Sequence, residues 1–131
     1  MIKKSEEEWK KQLSPEQFFV LRKKGTELPF SGRLLLNKEK GMYACAACGL
    51  ELFTSDTKFD SSCGWPSFYA PLKSANVVQH EDITFGMKRI EVTCARCGSH
   101  LGHIFPDGPK PTGLRYCINS LALDFKNQKK K

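Results

Sequence analysis

Two cysteine pairs restrict this chain more than anything else in it: Cys45-Ala46-Ala47-Cys48-Gly49 and Cys94-Ala95-Arg96-Cys97-Gly98. A Cys-x-x-Cys-Gly unit folds as a tight knuckle. Both sulfurs face one point, and the glycine is free to take the positive φ that the turn needs. Two knuckles supply four thiolates, the tetrahedral donor set of structural zinc. The fold must then bring together segments separated by the 45 residues between Cys48 and Cys94. A closed four-sulfur site has no open coordination position, so one Zn2+ bound by Cys45, Cys48, Cys94 and Cys97 is expected to be structural. Iron in the same cage, a redox dithiol at either pair, and disulfides in a secreted chain are the other readings of this spacing.

A chain of 131 residues suits one domain with one core, spanning 1–131. No stretch reaches the ~20 apolar residues of a membrane span. The start, Met1-Ile2-Lys3-Lys4-Ser5, has lysines but no apolar run behind them, unlike a secretory signal. A reducing cytoplasm is the expected location. There, six cysteines read as metal ligands or redox groups and not as a disulfide frame. The net charge of +7 invites a nucleic-acid reading, that of a zinc-ribbon binding module. Its distribution argues against one. Residues 1–28 carry a net +2 and the basic tail 126–131 carries +4, which leaves +1 for the body between them. A phosphate-tracking surface is basic through the folded body, so no specific nucleic acid is expected.

The first 28 residues read as helical. Ser5 with Glu8, and Ser14 with Gln17, have capping-box spacing, and Pro15 suits the first position of a helix. Phe18, Phe19 and Leu21 are the expected apolar face, Gly25 the expected stop, and Trp9 a packing residue. Beyond Pro29 short alternating stretches appear. Strands are predicted at Met42–Cys45, Phe68–Ala70, Asn76–His80, Arg89–Cys94, Gly102–Phe105, Leu114–Asn119 and Leu121–Phe125. Glu81–Met87 reads as a turn-rich connection. The three prolines between 106 and 113 make that segment a loop between antiparallel neighbours. The fold class is mainly β: an antiparallel β-sheet core with N-terminal α-helices and a four-cysteine zinc site.

Cys63 and Cys117 remain outside the knuckles. A lone cysteine is often just a small buried apolar group. In a strand, however, Arg115, Cys117 and Asn119 share one face, while Tyr116 and Ile118 share the other. A cation, a thiol and an amide make a poor core, and a nearby guanidinium favours the nucleophilic thiolate. His100 and His103 can supply protons near neutral pH or simply brace the scaffold. Positions three apart point to opposite faces of a straight strand, so joint action needs a bend, which Gly102 would allow. Cys63 lies in a loop, where Trp65 and Phe68 either pack down as a lid or wall a small apolar pocket, with Phe105 a further candidate wall.

The runs Cys63-Gly64-Trp65-Pro66-Ser67-Phe68, His100-Leu101-Gly102-His103-Ile104-Phe105, Asp107-Gly108-Pro109 and Gly113-Leu114-Arg115-Tyr116-Cys117-Ile118-Asn119-Ser120 resemble the signatures of the methionine-R-sulfoxide reductase B family. The knuckles fall between them in the family's order, and the likeness extends from about Phe18 to Phe125. The resemblance implies a substrate, the R epimer of methionine sulfoxide in proteins or peptides. It implies Cys117 as nucleophile and Cys63 as resolving thiol, with a sulfenic acid on Cys117 and then a Cys63–Cys117 disulfide recycled by thioredoxin. It implies His103 and His100 as catalytic histidines, Asn119 as a positioning group, and Trp65 against the substrate methyl. It matches the zinc-containing, two-cysteine type, expected as a monomer.

Overall fold

The computed structural model of the protein describes residues 4–83, 86 and 88–127. Both capping boxes form. The Ser5 and Ser14 hydroxyls accept the amides of Glu8 and Gln17, and those side chains accept the Ser5 and Ser14 amides in return, at 2.8–3.2 Å. They start α1 (Glu6–Gln12) and α2 (Pro15–Lys23). α2 ends one residue earlier than the glycine suggests. Lys24 takes the left-handed conformation, φ 60°, and the Gly25 N–H donates back to the Phe19 carbonyl at 2.9 Å. The buried face is Phe18, Val20 and Leu21, not the expected Phe18, Phe19 and Leu21, since Phe19 is 54% exposed. Trp9 is buried in the core, as a packing residue should be. Among the described residues no helix is long and apolar enough to cross a membrane.

Among the described residues nine strands follow: β1 (Gly41–Cys45), β2 (Glu51–Thr54), β3 (Lys58–Phe59), β4 (Ser67–Phe68), β5 (Val77–Asp82), β6 (Arg89–Cys94), β7 (His100–Phe105), β8 (Arg115–Ile118) and β9 (Leu123–Asn127). They form two antiparallel sheets, one ordered β2-β1-β9 and the other β3-β4-β8-β7-β6-β5. β2 and β3 were not expected. Leu52 and Phe53 are both buried, which erases the alternation that marks a strand, and β3 is only two residues long. β5 runs through Asp82 into the stretch expected to turn, while residues 84, 85 and 87 of that connection lie outside the described residues, as do 128–131 of the basic tail. Lys126 belongs to β9. The 106–113 segment is the expected loop, and it joins β7 to its neighbour β8.

The two sheets meet through aromatic rings. Phe53 of β2 stacks on Phe68 of β4 with centroids 4.4 Å apart, and Tyr43 of β1 meets the same Phe68 edge-on at 5.1 Å. Such pairs contribute about 0.5–1.5 kcal/mol beyond their burial. Phe68 is therefore a core residue. With its ring enclosed between the sheets it does not wall a pocket.

β7 bends where the two histidines require it, by a different device from a flexing Gly102. Val92 of β6 pairs with Gly102, but Thr93 pairs with His100, so Leu101 is an extra residue and a β-bulge. The rings of His100 and His103 consequently meet edge-to-face, centroids 5.4 Å apart. Gly102 serves close approach: a Cβ there would lie 2.0 Å from the Cys117 carbonyl oxygen. Gly102→Ala is expected to push β8 away from β7, lower stability by roughly 1–3 kcal/mol and slow turnover. A melting curve and a rate equal to the parent's would show that the ladder does not need this contact.

Candidate active site

The four knuckle cysteines meet at the junction of the two sheets. Cys45 ends β1 in one sheet and Cys94 ends β6 in the other. Gly49 (φ 83°) and Gly98 (φ 76°) close the knuckles, each donating its N–H to the first cysteine's carbonyl at 2.8 Å. All four Sγ atoms lie within 4.8 Å of one another, with Cys45–Cys97 at 3.7 Å and Cys48–Cys94 at 3.5 Å. A tetrahedral ion with bonds of about 2.3 Å sets sulfurs about 3.8 Å apart, so the donor set fits a zinc-sized metal ion. Arg22 and Arg96 donate to the Cys97 and Cys48 carbonyls at 2.9 and 3.0 Å, which braces the second half of each knuckle.

A separate cavity of about 220 Å³ opens on the face of β8 that carries Arg115, Cys117 and Asn119. Tyr116 and Ile118 point the other way, into the core, as the alternation required. Cys63 and Trp65 of the β3–β4 loop reach the cavity, together with His103 and Phe105 of β7. Thr26 and Arg89 also line it, and neither carried a signal in the sequence. Trp65 is fixed by its Nε1–H, which donates to the Glu27 carbonyl at 3.0 Å. Arg115 lies over the Phe105 ring at 4.4 Å and forks onto Asp107 at 2.8 and 3.2 Å, so cation and ring hold one wall together.

The Cys63 and Cys117 sulfurs are 3.4 Å apart. At that distance the two thiols hydrogen-bond to each other, and either sulfur can be the donor. Its hydrogen bond with Cys117, together with those to the Ser61 and Ser67 hydroxyls, holds the Cys63 thiol down to about 4 against the effect of burial. Cys117 is pushed up by the same hydrogen bond, by burial and by the Cys63 charge, while Arg115 draws it down. The mutual hydrogen bond thus draws the Cys63 thiol down and pushes the Cys117 thiol up, against the pull of Arg115. Cys63 alkylation by iodoacetamide is expected to stay nearly constant from about pH 8 to about pH 6, because its thiolate persists far below the ordinary thiol range. A fall of about tenfold per pH unit over that range would show an ordinary thiol.

His103 pairs with Cys117 across the β7–β8 ladder, and its Nε2 lies 2.9 Å from Asp82 Oδ2. His100 does not line the cavity. It is 4% exposed, and its Nδ1 is held 2.7 Å from Glu91 Oε2. The bulge turns it behind His103. Asn119 is buried, and its amide is committed to the backbone: Nδ2 donates to the Leu101 carbonyl and Oδ1 accepts the Glu27 amide, both at 3.0 Å. It ties the bulge to the segment that carries Thr26 and Glu27. Glu27 is the buried anchor of that segment, with Oε1 accepting the Leu121 amide at 2.9 Å and burial pushing its carboxyl up. A charge buried in a loop has no periodicity to betray it, so sequence reading missed Glu27.

Residues 13–127 match the SelR domain. The chain is 66% identical over 127 residues to a peptide methionine sulfoxide reductase MsrB of Methanosarcina barkeri, covering 97% of this chain and 89% of that one. It is 68% identical over 124 residues to the MsrB of Methanosarcina mazei, with 95% and 89% covered. Against the MsrB of Leptospira interrogans it is 57% identical over 127 residues, 97% of both chains. With a thiol pair in a cavity, a separate four-cysteine cage and likeness running nearly end to end, this chain belongs to the methionine-R-sulfoxide reductase B family.

Proposed function

We propose a route by which this peptide-methionine (R)-S-oxide reductase works, and the observation that carries it is the 3.4 Å separation of the Cys63 and Cys117 sulfurs at the cavity. The substrate is methionine-R-sulfoxide in an oxidised protein or peptide. Its methyl group lies against Trp65 and Phe105, its oxygen toward His103, and its remaining chain leaves by the cavity mouth. Three substituents held in three directions turn the sulfur's open side to Cys117 in one epimer only.

For attack, the proton between the two sulfurs rests on Cys63 and the charge on Cys117, beside Arg115. The Cys117 thiolate attacks the sulfoxide sulfur while His103, as imidazolium, protonates the oxygen. Asp82 keeps the Nε2–H of that ring, so Nδ1 carries the proton to be given. Methionine leaves, and the oxygen remains as a sulfenic acid on Cys117, whose sulfur has been oxidised by two electrons. Cys63 then attacks that sulfur, and water departs with the oxygen. A Cys63–Cys117 disulfide is left. A dithiol protein of the thioredoxin kind restores both thiols by exchange. The cage holds one structural Zn2+, and the protein acts as a monomer in the cytoplasm. The alternative, a zinc-ribbon module for nucleic acid, leaves the cavity and both of its thiols without a role.

Cys63→Ser is expected to release one methionine per enzyme and then stop, with thioredoxin unable to restart it. Mass spectrometry after a single turnover should find Cys117 oxidised and unpaired in that variant, and joined to Cys63 in the parent. Sustained thioredoxin-driven turnover by Cys63→Ser would mean that another thiol resolves the intermediate.

A further inference from the structure

Behind the cavity lies a buried carboxylate that the route above does not use. Glu91, on β6, is 5% exposed, and His100, on β7, is 4% exposed. Glu91 Oε2 is 2.7 Å from His100 Nδ1, and its Oε1 is 3.6 Å from the Lys24 ammonium. The other ring nitrogen of His100, Nε2, is buried with no partner among the described residues. A neutral imidazole carries one proton, and the hydrogen bond made by one nitrogen decides which of the two holds it. An ionised carboxylate only accepts, so the Glu91 contact requires the proton on Nδ1 and leaves Nε2 bare.

His100 is packed edge-to-face on His103, with ring centroids 5.4 Å apart and planes at 67°. His103 is therefore held from two sides, by Asp82 at Nε2 and by the ring of His100. The His100 ring can turn about its own bonds unless something outside the pair stops it. Glu91 is on a neighbouring strand, and the bulge at Leu101 turns His100 toward it. The groups that face His100 are Glu91 from β6, His103 from its own strand, and Lys24 from the end of α2.

We propose that Glu91 is a positioning residue for sulfoxide reduction: by fixing the tautomer and the ring orientation of His100, it holds His103 over Cys117. It acts two side chains away from the reacting atoms and touches no substrate. This rests on His103 being the proton donor. Loss of Glu91 should therefore lower kcat and leave KM nearly unchanged, because the cavity walls that bind substrate stay in place. In the same way, an outer carboxylate on a metal-bound histidine sets the ring's orientation and proton.

The test uses the zinc-loaded, reduced full chain. The nitrogen-15 spectrum of the parent is expected to show neutral His100 with its proton on Nδ1. Glu91→Gln, whose amide can either donate or accept, should give a mixture of tautomers and slow methionine release in a single turnover about tenfold. Glu91→Asp keeps the carboxylate and should recover most of the Nδ1–H signal and part of the rate. In a His100→Asn background, Glu91→Gln should cost nothing further in rate. A parent His100 with its proton on Nε2 overturns the proposal without any variant. So does Glu91→Gln that melts earlier yet keeps the parent's tautomer or the parent's single-turnover rate, since a merely structural role predicts that combination. The spectrum does not depend on activity, so it separates failure here from failure of the His103 assignment, which a fully active His103→Asn would reveal.

Discussion

Cys117→Ser is expected to release no methionine from the R epimer, a loss of at least ~10³-fold in the single-turnover rate. The substitution changes one atom in the cavity and leaves the scaffold alone. A serine hydroxyl still fits beside Cys63 and can still donate to it, so the low Cys63 pKa and the fold should persist. What disappears is a soft, polarisable sulfur nucleophile in reach of the substrate sulfur. Cys63 cannot take over. It sits 3.4 Å from Cys117, on the β3–β4 loop, while Cys117 is the residue that pairs with His103 across the ladder. The measurement is methionine released per enzyme from each pure epimer, without external reductant. Parent-like release from the R epimer would remove Cys117 as the nucleophile and transfer that role to Cys63.

The sequence disclosed the parts of the fold whose local chemistry is decisive. The two capping boxes predicted both helix starts, because a serine with an acceptor three residues on is sufficient by itself. The seven expected strands all appear, as β1 and β4 to β9, with ends that move by up to a few residues. The alternation in 115–119 correctly separated cavity from core. What stayed hidden is tertiary. Leu52 and Phe53 are buried on both sides, so β2 has no period-two signature. The bulge at Leu101 depends on the register of β6 against β7, and neither strand encodes it alone. Phe68 was a candidate wall because it adjoins the Cys63 loop, but pairing of β4 with β8 swings it between the sheets. The same holds for charge. Glu27, Asp82 and Glu91 look like ordinary surface acids until the fold shows what each one holds. Even the Cys63–Cys117 contact needs the positions of a loop and a strand 54 residues apart.

Removing the metal should undo the fold before it alters the chemistry. Each sheet has its own ladder, but Cys45 and Cys48 lie at the end of β1 in the smaller sheet and Cys94 and Cys97 at the end of β6 in the larger one, so an ion bound by all four joins the two. Structural zinc in small peptides is worth about 10–16 kcal/mol of apparent binding energy near neutral pH. Here aromatic rings also join the sheets, so the loss is expected to be smaller than that, but it includes four sulfurs crowded within 4.8 Å with nothing to neutralise them. Cys45→Ser, or chelation of the parent, is expected to lower Tm by at least ~10 °C, which for a domain of this size corresponds to roughly 3 kcal/mol or more. Thiol labelling should follow the same division: two reactive thiols in the native reduced protein, and four more once the metal is gone. The fraction still folded at low temperature should reduce the R epimer at close to the parent's single-turnover rate, because none of the four ligands lines the cavity. An unchanged melting curve would contradict a structural metal. Abolished chemistry in a protein that still melts like the parent would mean that the cage takes part in the reaction itself.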